Sequence, residues 1–162
     1  HPLRIPKDVL LQLEESLILC DTGTIHESGD IHSDQKDKMK DAEISKLVKS
    51  NVDLCYKMRN QLLRGKLDDF GLSLNEAWQA KRKFSSKISS PELDSIYENA
   101  IANGAIGGKL LGAGGGGFFI FFVKAEKRFL LIEHLLSSGL TPTNFKFESE
   151  GMQSWKVRES SK

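Results

Sequence analysis

The stretch LLGAGGGGFFIFFV, residues 110–123, limits the fold more than any other part of this chain. Eight of the 14 glycines fall between Gly104 and Gly117, and four are consecutive, Gly114 to Gly117. Phe118 to Val123 follow with no polar side-chain atom, which reads as a strand buried in a sheet. Glycine permits positive φ and lets another group approach the backbone closely. The run from Gly112 to Gly117 therefore has two readings. Its successive amides form a concave seat for an anion, or its small residues let a helix and a strand pack tightly. Each free glycine adds to the entropy lost on folding, which a mere connection need not incur. The run does not end in GK[ST], and it is expected to lead from a helix into a strand. Both features separate it from the Walker A loop and the dinucleotide fingerprint.

The rest of the chain looks like one ordinary folded domain. It has 162 residues, 39% hydrophobic and 28% charged, with a net charge of +1. That is enough to bury a core and is not a disordered composition. The balanced charge gives no electrostatic reason to expect nucleic acid or an anionic membrane as partner. No apolar run approaches the ~20 residues of a membrane span. Cys20 and Cys55 have no companions at metal-binding spacing, and the four histidines are scattered. Reduced cysteines, a cytoplasmic location and no bound metal are expected, with one cysteine pairing left open. The chain begins HPLRIP rather than with Met, as a segment of a longer protein would; a processed start gives the same look.

The pattern predicts a strand over residues 10–20, ended by the turn Asp21-Thr22-Gly23, then a polar loop over 23–34. Ile44, Leu47, Val48, Val52, Cys55, Met58 and Leu62 mark a long amphipathic helix ended by Gly65. SLNE at 73–76 resembles a capping box and predicts a helix starting at Ser73 and ending near KRKFSS. Ser90 and Pro91 open a third helix, with Leu93, Ile96, Tyr97, Ala100 and Ile101 on one stripe and Gly104 closing it. After the strand FFIFFV come a helix in EKRFLLIEHLLSSG, a strand in NFKFES and a further strand in GMQSWKV. Trp78, Trp155 and Phe118 to Phe122 are expected in the core. Strands separated by helices around one sheet give an α+β fold, here a ferredoxin-like split βαβ with inserted helices.

GGKLLGAGGGGFFIFF resembles the third conserved motif of the GHMP kinase superfamily, in which a glycine-rich TGAGGGG enters a strand. Leu111 stands where many members have Thr or Ser. DTGTIHESGDIHSDQ, AWQAKRKFSSKISSPELDSIYENAIANGAIGGKLLGAGGGGF and FKFESEGMQSWKV resemble most closely the bacterial D-glycero-D-manno-heptose 7-phosphate kinases. Those enzymes commonly show TR.S where this chain has Ile25-His26-Glu27-Ser28. The resemblance covers residues 1–162 and implies a ferredoxin-like C-terminal domain, an antiparallel sheet with helices on one face. It also implies an N-terminal ATP-binding half that these residues do not include. That half would hold the catalytic residues and most of the ATP and Mg²⁺ contacts.

The resemblance implies that Gly107, Gly108, Lys109, Gly112, Ala113, Gly114, Gly115, Gly116 and Gly117 form the nucleotide and phosphate loop. Asp21, Thr22, Gly23, His26, Lys81 and Arg82 are candidates for binding substrate. Each has a plainer reading. Asp21 suits an Asx turn, His26 and His32 suit a solvated loop, and Lys81, Arg82 and Lys83 suit a helix C-terminus. Asp30, Asp34 and Gln35 suit the start of the long helix, and Lys109 suits an exposed loop. The function implied is the C-terminal half of an ATP-dependent sugar or sugar-phosphate kinase, inactive without its other half. Its partners would be a small-molecule sugar or sugar phosphate and its own N-terminal half. Self-association through the face that half would cover is an expected consequence. A fucokinase, a galactokinase-like enzyme and a non-catalytic protein of the same fold stand as alternatives.

Overall fold

A computed structural model describes residues 3–24 and 42–156. Helix α1 (Lys7–Ser16) starts after Pro6, and β1 (Leu17–Asp21) continues it directly. Helix α2 (Ala42–Leu63) ends before Gly65, whose φ of 64° reverses the chain. Helix α3 (Leu67–Arg82) has Asp68 and Asp69 in its first turn and Lys81 and Arg82 in its last, matching the helix dipole. Helix α4 (Pro91–Ala102) is capped by Ser90, whose side chain accepts from the Leu93 amide at 3.3 Å. Then come β2 (Ala105–Leu110), β3 (Phe118–Val123), α5 (Ala125–Ser137) and β4 (Thr141–Thr143).

The four strands form one antiparallel sheet in the order β2-β3-β1-β4. In register, Ile18 lies opposite Phe121, Cys20 opposite Phe119 and Leu110 opposite Phe119 from the other side. These side chains share a face and pack with Leu93, Tyr97 and Ala100 of α4 and Leu131 and Leu135 of α5. Trp78 of α3 joins them, edge-on to Phe119 with centroids 5.5 Å apart. Burying a side chain such as Phe119, Phe121 or Leu131 contributes about 1.5–3 kcal/mol each. The second cluster joins Leu17 and its partner Phe122 to Leu13 of α1 and to Leu67 and Leu74 of α3. Met58 and Leu62 of α2 pack against it.

Helix α3 crosses β2 and β3 so closely that glycine stands at both points of contact. A Cβ on Gly107 would overlap the Gly71 carbonyl oxygen, and one on Gly71 would meet the Phe122 ring. Among the described residues, side chains rather than another strand meet two backbone groups on the free edge of β2, which leaves less of it open to pairing. The Lys81 ammonium donates to the Leu110 carbonyl at 2.9 Å, and the Gly108 backbone meets the Tyr97 hydroxyl.

Several elements differ from the sequence expectation. Residues 10–16 are helical because Val9, Leu13 and Leu17 repeat at a helical step and all three join one cluster. Helix α3 starts at Leu67, not Ser73; Ser73 is buried mid-helix with its hydroxyl unpartnered, so SLNE caps nothing. Strand β2 departs from the expectation because its Gly-Gly pair has low strand propensity; the crossing helix demands Gly107, and Phe121 of β3 demands Gly108. The glycine run consequently joins two strands, not a helix to a strand. Residues 144–149 form no strand; the fourth strand is Thr141–Thr143, and the Phe145 and Phe147 rings pack edge to face. Residues 151–156 are irregular, Trp155 is 80% exposed rather than in the core, and Val157 lies outside the described residues. Phe118 is also exposed. On α2, Val48, Val52 and Cys55 are exposed, while Met58 and Leu62 pack inward. Both cysteines are free.

Candidate functional site

Two segments meet at the end of the sheet. The first is Thr22–Thr24, directly after β1. The second is the seven-residue connection Leu111–Gly117 between β2 and β3. The connection is closed at its base by the Leu111 amide donating to Phe118 at 2.8 Å. The segments are stitched together at Gly117. Its carbonyl accepts from the Thr22 amide at 2.8 Å and the Thr22 hydroxyl at 2.7 Å, and its amide donates to Thr24 at 2.9 Å. Asp21 forms the Asx turn that aims this segment, its Oδ1 accepting from the Gly23 amide at 3.0 Å.

The glycines divide by what holds them. Gly114 has φ 123°, and a Cβ there would lie 2.9 Å from the Cα of Ile88. Gly115 donates to the Ile88 carbonyl at 2.9 Å, so its amide is turned into the protein. A Cβ on Gly116 would overlap the Thr24 carbonyl oxygen. Gly112 and Gly117 have φ of 65° and 88° with nothing within 4 Å of an added Cβ. Among the described residues, the amides of Gly112, Ala113, Gly114 and Gly116 have no protein acceptor.

These residues border an open cavity of about 600 Å³. Gly112, Ala113, Gly114, Gly116 and Gly117 form one side, and Asp21, Gly23 and Thr24 another. Leu19, Leu111 and Phe118 form an apolar wall. Leu19 and Phe118 are there because strand side chains alternate, which turns them away from the Cys20 and Phe119 face. Unpartnered amides beside hydroxyl-accepting groups and apolar surface suit a phosphate-bearing polar ligand.

The remaining candidates take different places. Gly107 and Gly108 belong to β2, where packing accounts for both; a Cβ on Gly108 would lie 2.6 Å from the Phe121 ring. Lys81 donates to the carbonyls of Leu110 at 2.9 Å and Gly112 at 2.6 Å. Burial, and then the neighbouring Lys109 charge, lower its pKa from 10.5 to about 8. Arg82 is paired with Asp94 at 2.7 Å and lies over the Trp78 ring, tying α3 to α4. Lys83 caps the C-terminus of α3. His26, His32, Asp30, Asp34 and Gln35 lie outside the described residues. Among the described residues, no three His, Cys, Asp or Glu side chains converge to hold a metal. No helix there is long and apolar enough to cross a membrane. Sequence reading missed Thr24 and Ile88. The lone apolar residue in the serine-rich stretch Ser85–Ser90 was the available signal for Ile88, which is fully buried.

The family model for the C-terminal domain of GHMP kinases matches residues 58–137, from the end of α2 through α5. The chain carries a GHMP kinase C-terminal domain. Its α+β fold with a four-stranded antiparallel sheet is shared with solved GHMP kinases. It is 34% identical over 157 residues to D-glycero-alpha-D-manno-heptose 7-phosphate kinase of Campylobacter jejuni, covering 97% of this chain and 46% of that protein. A solved Campylobacter jejuni candidate sugar kinase is 32% identical, with a TM-score of 0.68 over 97% of this chain and 44% of its own. The mevalonate kinase of L. major, 24% identical with a TM-score of 0.68 over 75% of this chain and 37% of its own, shares the fold. The chain thus spans about half the length of the heptose kinase it matches. Its relatives are kinases.

Proposed function

We propose that this chain is the loop-bearing C-terminal half of an ATP-dependent sugar kinase acting on a D-glycero-D-manno-heptose phosphate. The observation that carries the reading is its 34% identity, across 97% of the chain, with a heptose 7-phosphate kinase. The cavity fits this chemistry. ATP supplies the phosphoryl group when bound, and this half would receive phosphate oxygens on the free amides of Gly112, Ala113 and Gly114. Such amides are fixed dipoles that need no reorientation as charge moves onto the transferred group. Asp21 keeps one carboxylate oxygen beyond its Asx turn to accept a substrate hydroxyl. Leu19, Leu111 and Phe118 would line the apolar side of the sugar and keep water out. Mg²⁺, most of the ATP contacts and the catalytic residues would lie on an N-terminal half, and the ligands between the two halves.

A second reading is a fucokinase. The chain is 27% identical to the Arabidopsis thaliana bifunctional fucokinase/GDP-fucose pyrophosphorylase over 78% of its length, and 12% of that protein. The test is an ADP-release assay of the gene's full-length product with ATP and Mg²⁺. The substrates are heptose 7-phosphate, fucose, galactose and mevalonate. Turnover on the heptose phosphate alone supports the first reading and turnover on fucose the second. No turnover on any of them overturns both.

A further inference from the structure

We propose that Lys81 is the positioning residue of the glycine loop: its amino group clamps the carbonyls of Leu110 and Gly112 together and so fixes how the loop leaves β2. The two bonds, 2.9 and 2.6 Å, hold the two oxygens within about 5.5 Å of each other. In a continuing strand, carbonyls two residues apart point the same way at about 6.6 Å separation, farther than bonds of 2.9 and 2.6 Å from one nitrogen can span. The chain must therefore curl between them, and Gly112 at φ 65° is where it does. Lys81 and the left-handed turn at Gly112 support each other. Their joint effect is to present the amides of Gly112, Ala113 and Gly114 to the cavity instead of extending the hairpin.

Two amine hydrogens suffice for two carbonyls, so the clamp holds whether or not Lys81 is protonated. Lys109 is the charge facing it from β2. The connection Leu111–Gly117 carries no titratable side chain. On α3 itself, Arg82 is turned to Asp94 of α4. Only the last step, from loop shape to phosphate binding, rests on the kinase reading.

The test is ¹⁵N NMR of this chain as wild type, Lys81→Met and Lys109→Met. The peptide nitrogens that follow the clamped carbonyls, those of Leu111 and Ala113, should titrate together in the wild type with one midpoint near pH 8. Lys109→Met should move that midpoint upward by removing a like charge. In Lys81→Met the titration should vanish. Exchange of the Gly115 and Gly117 amides should also quicken about tenfold or more, the change that losing one charge-assisted bond implies. Leu111 and Ala113 signals that do not titrate in the wild type overturn the clamp, even if Lys81→Met fails to fold. Unchanged exchange in a folded Lys81→Met overturns it too. A clamp that passes these tests in a protein that phosphorylates nothing keeps this inference and sinks only the kinase reading.

Discussion

Replacing Gly107 with alanine should destabilise the domain more than replacing any glycine that faces open space. The added Cβ would overlap the Gly71 carbonyl oxygen and lie 3.0 Å from the Asn75 nitrogen and 3.1 Å from the Gly71 carbonyl carbon. All three are backbone atoms of α3, so no side chain can rotate aside and the whole helix must lift from β2. Overpacking of this kind costs about 1–3 kcal/mol, and rigid neighbours place Gly107→Ala at the upper end. In a domain of this size each kcal/mol moves the melting temperature by about 2–4 °C, so a fall of about 6–12 °C is expected. Gly117→Ala is the control. Its φ is 88° and its Cβ would meet nothing within 4 Å, leaving a backbone cost of about 1–2 kcal/mol. Thermal unfolding followed by far-ultraviolet circular dichroism measures both. A Gly107→Ala protein that melts within about 2 °C of wild type, or no lower than Gly117→Ala, would refute the reasoning.

Ser90→Ala removes the side-chain cap of α4 and should lower stability by about 1 kcal/mol in a urea titration, with Ser90→Thr nearly neutral. A double-mutant cycle on Arg82 and Asp94, both about 30% exposed at 2.7 Å, should give a coupling of about 1 kcal/mol or less. Lys81 holds its proton more weakly when folded, at about 8 against 10.5. Between those values the unfolded chain binds more protons, so this residue makes stability rise with pH across that window. Denaturant midpoints at pH 8 and 10 should show the rise in wild type and lack it in Lys81→Met.

The parts legible in the sequence were those set by local chemistry. Ser90-Pro91, Gly65 and Gly104 marked helix ends because caps and left-handed turns depend on single residues. FFIFFV read as a strand because six apolar residues, aromatic and β-branched, bounded by a glycine run, are too short for a typical helix. What failed depended on partners distant in the chain. Gly107 and Gly108 look like loop residues until α3 lies across the first and the Phe121 ring of β3 against the second, and only then is their lack of side chains a packing requirement for a strand. Leu10 to Ser16 carry both a strand-like and a helical pattern, and the shared cluster of Val9, Leu13 and Phe122 decides between them. In the site, the glycine run and Asp21 were visible as types and spacing. That Gly115 turns its amide to Ile88, and that Lys81 reaches the loop's own carbonyls, required the tertiary fold.

The reading of the loop as a phosphate seat is tested most directly by Gly112→Ala in the gene's full-length product, with kcat/KM and melting temperature measured on one preparation. Gly112 has φ 65°, nothing within 4 Å of an added Cβ, and a place on the cavity wall. The strain should lower the melting temperature by about 2–8 °C. The methyl group would occupy the space beside the free amides, and losing one such contact in the transition state lowers the rate about a hundred- to a thousandfold. A sugar kinase whose rate collapses while it stays folded is the predicted result. A variant that melts lower and keeps its wild-type kcat/KM would show that Gly112 serves the turn of the backbone alone, and would contradict the account.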